Sequence, residues 1–119
     1  MNDLVRRALE PRFGPVEVGA TSDVNQGRGV FSQVVRATLL WPSPSTPARP
    51  DSVVVKIPAD GPNGAAAVAT GACRREALAY GTLLASSPIA HPACHRVELD
   101  DDGSARLVLE DLTGHRFVD

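Results

Sequence analysis

Lys56 is the only lysine in the chain, against eleven arginines, and it stands at the end of Ser52-Val53-Val54-Val55-Lys56-Ile57. A run so rich in β-branched residues reads as a strand with little exposure. An ammonium rarely enters such surroundings without a partner, because stripping it of water costs several kcal/mol. Lys56 is therefore expected to face an anion. Glu76 lies twenty residues further on, one turn before Tyr80, bordering the helix side that should pack on the sheet. A glutamate there needs a cation. A strand lysine and a helix glutamate that each lack a partner predict an ion pair. The competing reading has Glu76 turned outward to neighbouring arginines and the Lys56 head in water.

Gly27-Arg28-Gly29-Val30-Phe31-Ser32-Gln33-Val34 fits G-x-G-x-x-S-x-V. Small residues at 27, 29 and 32 let the backbone approach a ligand and leave amides free to face phosphate. The same glycines also suit a plain hairpin turn. A dinucleotide-binding fingerprint would require a helix after the glycines, whereas a strand follows them here. The Glu110 and Asp111 carboxylates could be general acid or base groups, but adjacent residues on an extended chain point opposite ways. The segment reads as a connector that meets a ligand through its backbone. His91, Cys94 and His95 form H-x-x-C-H without the second cluster that a closed zinc site needs. Asp100–Asp102 read as a solvated turn and Cys73 as a small core residue. No nucleophile elbow is found, and no Ser/His/Asp set that spacing would defend.

The elements that would hold these residues follow from periodicity and breakers. Asn2 or Asp3 could cap a short helix with apolar Leu4, Val5, Ala8 and Leu9, ended by Pro11–Pro15. Strands are expected at 16–20, 30–41, 52–57, 96–99 and 105–110. Four prolines fill the loop from Pro42 to Pro50, and a hairpin turn is expected over 100–104. One helical region is expected over 65–85, firmest from Cys73. The whole reads as an α+β fold: a five-stranded antiparallel sheet with one helix packed on it.

In 119 residues, 43% hydrophobic and 22% charged, there is room for one small globular domain. A net charge of -2 gives no field that would gather nucleic acid or anionic lipid. Two cysteines make no disulfide framework. No apolar run approaches the roughly 20 residues of a membrane span, and the first residues lack the apolar core of a signal peptide. A soluble, cytoplasmic chain is expected.

The pieces in order resemble the N-terminal lobe of the kinase-like fold. They are the glycine-rich hairpin 27–34, Val53-Val54-Val55-Lys56, Arg75-Glu76-Ala77, and Leu107-Val108-Leu109-Glu110-Asp111-Leu112. The closer similarity is to small-molecule phosphotransferases of the aminoglycoside phosphotransferase and choline kinase group, including its ecdysteroid-kinase-like branch. It runs from about Val16 to the end of the chain. The resemblance implies that Lys56 holds the α- and β-phosphates of ATP and that Glu76 orients it. It implies that the amides from Gly27 through Gly29 to Ser32 cover the phosphates, and that Val34 and Val54 form the ceiling over adenine. The Glu110 carbonyl and the Leu112 amide would bond the adenine edge. Ser32 replaces a glycine common in protein kinases, and the Pro42–Pro50 loop lengthens the following hairpin.

On this resemblance residues 1–15 are a helical extension, 16–109 the lobe, and 110–119 a hinge opening a second lobe. The catalytic aspartate and the magnesium ligands are expected in that second lobe, which also binds the small-molecule acceptor, so the chain alone is expected to be inactive. A non-catalytic scaffold that keeps the lobe shape is the alternative.

Overall fold

Hydrophobic alternation and β-branched content specify a sheet, and the sheet organises everything else. The computed structural model describes residues 1–24, 32–42, 49–59, 61–80 and 93–112. The elements run α1 (Asn2–Phe13), β1 (Glu17–Asp23), β2 (Ser32–Leu40), β3 (Ser52–Pro58), α2 (Pro62–Ala69), α3 (Ala72–Leu78), β4 (Cys94–Leu99) and β5 (Ala105–Glu110). Five antiparallel strands make one sheet in the order β1-β2-β3-β5-β4. The expected α+β class and five-stranded antiparallel sheet are present. The turn after β4 closes through the Gly103 amide on the Asp100 carbonyl at 3.0 Å and the Asp100 amide on Ser104 at 2.8 Å.

Strand alternation sends the two sets of side chains to different helices. Ala37, Leu39, Val53, Val55 and Val108 are buried with Leu4, Val5 and Leu9 of α1 and with Val16. The opposite face carries Ala105, which packs with Ala67 of α2 and with Cys73 and Ala77 of α3. The expectation of one packed helix is thus corrected: helices lie on both faces. Residues 1–15, read as an extension, supply three members of the larger core cluster. Burying one Leu or Val side chain contributes roughly 1.5–3 kcal/mol, so α1 is part of the folding unit.

Three local expectations also change. Among the described residues, the single helix expected over 65–85 is two helices separated at Thr70-Gly71, where Gly71 takes φ 79° and ψ 10°, and 81–85 lie outside the described residues. That left-handed conformation suits glycine and stops α2, so α3 can set off in a new direction. Asn2 and Asp3 do not cap α1: the N-cap is Met1, and Asn2 Oδ1 accepts the Val18 amide at 3.0 Å. The helix also runs past Pro11 to Phe13, with the Gly14 amide donating to the Glu10 carbonyl at 3.0 Å. Proline in the last turn forfeits only one intrahelical bond, which explains the tolerance.

Candidate functional site

Directly opposite residues on antiparallel strands share a face. Val34 lies opposite Lys56, Arg36 opposite Val54, Leu109 opposite Val54, and Leu107 opposite Lys56. Val34, Arg36, Val54, Lys56, Leu107 and Leu109 therefore line one surface, away from α1. Val97 extends it onto β4 opposite Leu107 and packs with α2 and α3. Val34 and Val54 are half-buried, so this surface is apolar but not sealed.

α3 brings Glu76 to that surface. Lys56 Nζ donates to Glu76 Oε2 at 2.5 Å. The side chains keep 29% and 34% of their accessible surface, so the pair is sheltered rather than buried. This corrects the expectation of a lysine lodged in the interior: the strand surroundings take the methylenes, and the ion pair stands at the edge of water. Glu76 takes one of the three donors an ammonium carries. Beside the pair, Ser32, Lys56, Ala67, Ala72, Cys73 and Glu76 line an open recess of about 200 Å³. Small side chains on α2 and α3 keep it open. Tyr80 follows α3 within the field of the pair: burial first, then the Glu76 carboxylate, pushes its phenol above the ordinary value.

The placement of α2 depends on one close approach. A Cβ at Gly64 would sit 1.6 Å from the Ala59 carbonyl oxygen. Only glycine lets the chain leaving β3 fold back against the start of α2, and this brings α2 and α3 over the end of β3 where Lys56 stands.

The sequence reading sets the Asp111 side chain aside in favour of the backbone around it, whereas the structure gives that side chain a defined role. Its carboxylate Oδ2 accepts Arg36 Nε at 2.9 Å and Ser52 Oγ at 2.7 Å, and its side chain is only 5% exposed. Glu110 points the other way, its Oε1 accepting the Ala93 amide at 3.2 Å while its own amide donates to the Ala93 carbonyl at 2.8 Å. Both carboxylates thus fix the end of β5. Adjacent opposite-facing side chains were legible in the sequence; the partners, far off along the chain, were not. Leu112 follows directly and is half-buried. Gly27 and Gly29 lie outside the described residues. Ser32 opens β2 opposite Pro58 and lines the recess.

Among the described residues no three His, Cys, Asp or Glu side chains group as metal ligands. Cys94 and His95 lie on β4 and His91 lies outside the described residues. His95 sits instead against Phe13, with ring centroids 6.5 Å apart, and burial lowers its pKa, with the Arg12 charge adding to the effect. No described helix is long and apolar enough to cross a membrane. Comparison with protein-family models, with curated proteins and with solved structures returns no match.

Proposed function

We propose that the chain is the ATP-binding lobe of a phosphotransferase that acts on a small-molecule hydroxyl. The observation that carries the reading is the Lys56–Glu76 pair, joined across β3 and α3 on the same face as Val34 and Val54 and beside an open recess. Phosphoryl transfer asks a protein chiefly for positioning and charge neutralisation. A strand-borne ammonium oriented by a helix carboxylate supplies a fixed positive charge at a place where water is partly excluded.

The residues present fit such a ligand in size and chemistry. The recess is smaller than the roughly 300–1,000 Å³ of whole-ligand pockets, so it suits phosphate groups. The flat apolar ring of a base would lie further along, over Val34 and Val54. Ser32 stands next to Lys56 at the recess. The end of β5, with the Glu110 carbonyl and the Leu112 amide, borders the Val54 side of the same surface. ATP, when bound, supplies the phosphoryl group. The chain's own residues bind and orient it, and on this reading the catalytic base, the magnesium ligands and the acceptor site come from a second lobe.

The test is thermal unfolding of the chain with and without Mg-ATP, followed for the natural sequence and for Lys56→Ala. Ligand at tenfold its Kd stabilises by about 1.4 kcal/mol, which moves the midpoint of a domain this small by about 5 °C. The shift should vanish in Lys56→Ala. A natural chain that shows no shift at millimolar Mg-ATP would leave only a scaffold with the lobe's shape, and an undiminished shift in the variant would remove Lys56 from the binding site.

A further inference from the structure

Asp111 is the most enclosed carboxylate among the ion pairs given above, and the Lys56 site makes no use of it. Its side chain is 5% exposed, its Oδ2 takes both Arg36 Nε and Ser52 Oγ, and the three residues come from three strands or their ends. Arg36 stands on β2 opposite Val54, and Ser52 opens β3 opposite Thr38. β3 lies between β2 and β5, so Arg36 reaches across β3 to meet the residue that follows β5. The result is a clamp on one short piece of backbone, Glu110 to Leu112. A second tie, the two bonds between Glu110 and Ala93, holds the same piece from the other side.

A charge-assisted carboxylate bond is a stronger use of an aspartate than a loop needs merely to end a strand. What it fixes is the direction of the two peptide units that flank Asp111. Those units contain the Glu110 carbonyl and the Leu112 amide. Side chains can adjust to a ligand by changing rotamer, whereas a backbone acceptor and donor read a planar base edge only if the chain holds their spacing and plane beforehand.

We infer that Asp111, held by Arg36 and Ser52, is a positioning residue that presets the 110–112 backbone to recognise the edge of the base, so that base selectivity is set from β2 and β3. The inference rests on the nucleotide site proposed above and adds to it the part that discriminates the base from the phosphates. Lys56 governs affinity for the phosphate tail; the clamp governs what the base adds to it.

The experiment compares binding of ATP with binding of inorganic triphosphate, both with magnesium, by titration calorimetry. The natural chain, Asp111→Asn, Ser52→Ala and Lys56→Ala are measured, with amide hydrogen exchange at Leu112 recorded without ligand. In Asp111→Asn the preference for ATP over triphosphate should fall about tenfold, equivalent to about 1.4 kcal/mol, with triphosphate affinity unchanged and Leu112 exchange accelerated. Lys56→Ala should weaken both ligands together. Ser52→Ala removes a single hydrogen bond and carries the test if Asp111→Asn fails to fold; it should move the preference in the same direction. A natural chain that binds triphosphate as tightly as ATP, or a folded variant whose preference is unaltered, overturns the role of the clamp while leaving the Lys56 site intact. A natural chain that binds neither ligand overturns the nucleotide reading itself.

Discussion

Glu98 should tie α1 to the sheet in a pH-dependent way. Its carboxylate lies on β4 on the α1 side, 13% exposed. It accepts Arg7 Nε at 2.7 Å and Arg7 Nη2 at 2.9 Å, with Arg96 Nε at 2.6 Å. The Arg7 bond, then Arg96, holds its pKa down from 4.5 to about 2. A depressed carboxylate stabilises the fold above its unfolded value and loses that contribution as pH falls from about 4.5 through about 2. At about 1.4 kcal/mol per pH unit the ceiling is near 3 kcal/mol. Glu98 itself is sheltered, but Arg7 and Arg96 keep 45% and 41% of their surface, so water screens the pair. A realistic contribution is about 1–2 kcal/mol. Glu98→Gln should cost that much at pH 7 and roughly two-fifths of it at pH 3, where the folded carboxylate is only beginning to take up its proton. Urea unfolding followed by fluorescence of Trp41, the sole tryptophan, measures both. Trp41 is suited to the task, its Nε1 bonded to the Pro50 carbonyl at 2.9 Å and its ring edge-on to Phe13 of α1. An equal cost at both pH values, or none at pH 7, would refute the argument that this network docks α1.

Leu9 is fully buried in the α1 cluster, so Leu9→Ala should lower the unfolding free energy by about 2–5 kcal/mol; a loss under 1 kcal/mol in urea titration would return α1 to the rank of a loose extension. Gly64→Ala should destabilise the chain and abolish any Mg-ATP shift, because the new Cβ meets the Ala59 carbonyl; an unaltered melting midpoint would show that the turn after β3 is not the constraint claimed. His95 should titrate below 6.5 by NMR, burial and Arg12 both disfavouring the imidazolium, so its share of stability is complete above 6.5 and declines as pH falls through the lower folded value; a midpoint above 6.5 contradicts the packing against Phe13.

The sheet was legible in the sequence because it depends on alternation. Val53 and Val55 on one face and Val54 and Lys56 on the other follow from a period of two, and the 100–104 turn is written in Asp and Gly. The Lys56–Glu76 contact was inferred from two groups in need of partners. What escaped was non-local or weakly coded. α1 carries only Leu4, Val5 and Leu9 as buried residues among charged neighbours, a stripe too narrow to announce that it covers the sheet. The break at Gly71 hides in Ala65-Ala66-Ala67-Val68-Ala69, where alanine favours helix and one glycine costs only about 1 kcal/mol. Asp111 meets Arg36 at 75 residues' distance and Ser52 at 59, and no local pattern encodes either bond.

The degree of exposure at Lys56 bears on why the pair exists. Fully buried, a lysine–glutamate pair could be a structural solution to two misplaced charges, costly to break by removal of either partner. At 29% and 34% exposure it is instead a pair whose contribution to folding is of order 0–1 kcal/mol. Stability therefore gives little reason for an ammonium at a strand position where Val53, Val54 and Val55 precede it, nor for a carboxylate on α3 beside Ala72, Cys73 and Ala77. A leucine at either site would serve the sheet at least as well. The recess beside the pair sharpens the point, since larger side chains at Ala67, Ala72 or Cys73 would fill it and add buried area. A lysine kept where packing gains nothing, aimed by a glutamate and left next to open volume, is an arrangement that suits an anion arriving from solvent. Loss of the lysine should accordingly cost ligand affinity far more than it costs the fold, and a Lys56→Ala chain that melts several degrees lower without ligand would reverse that ordering.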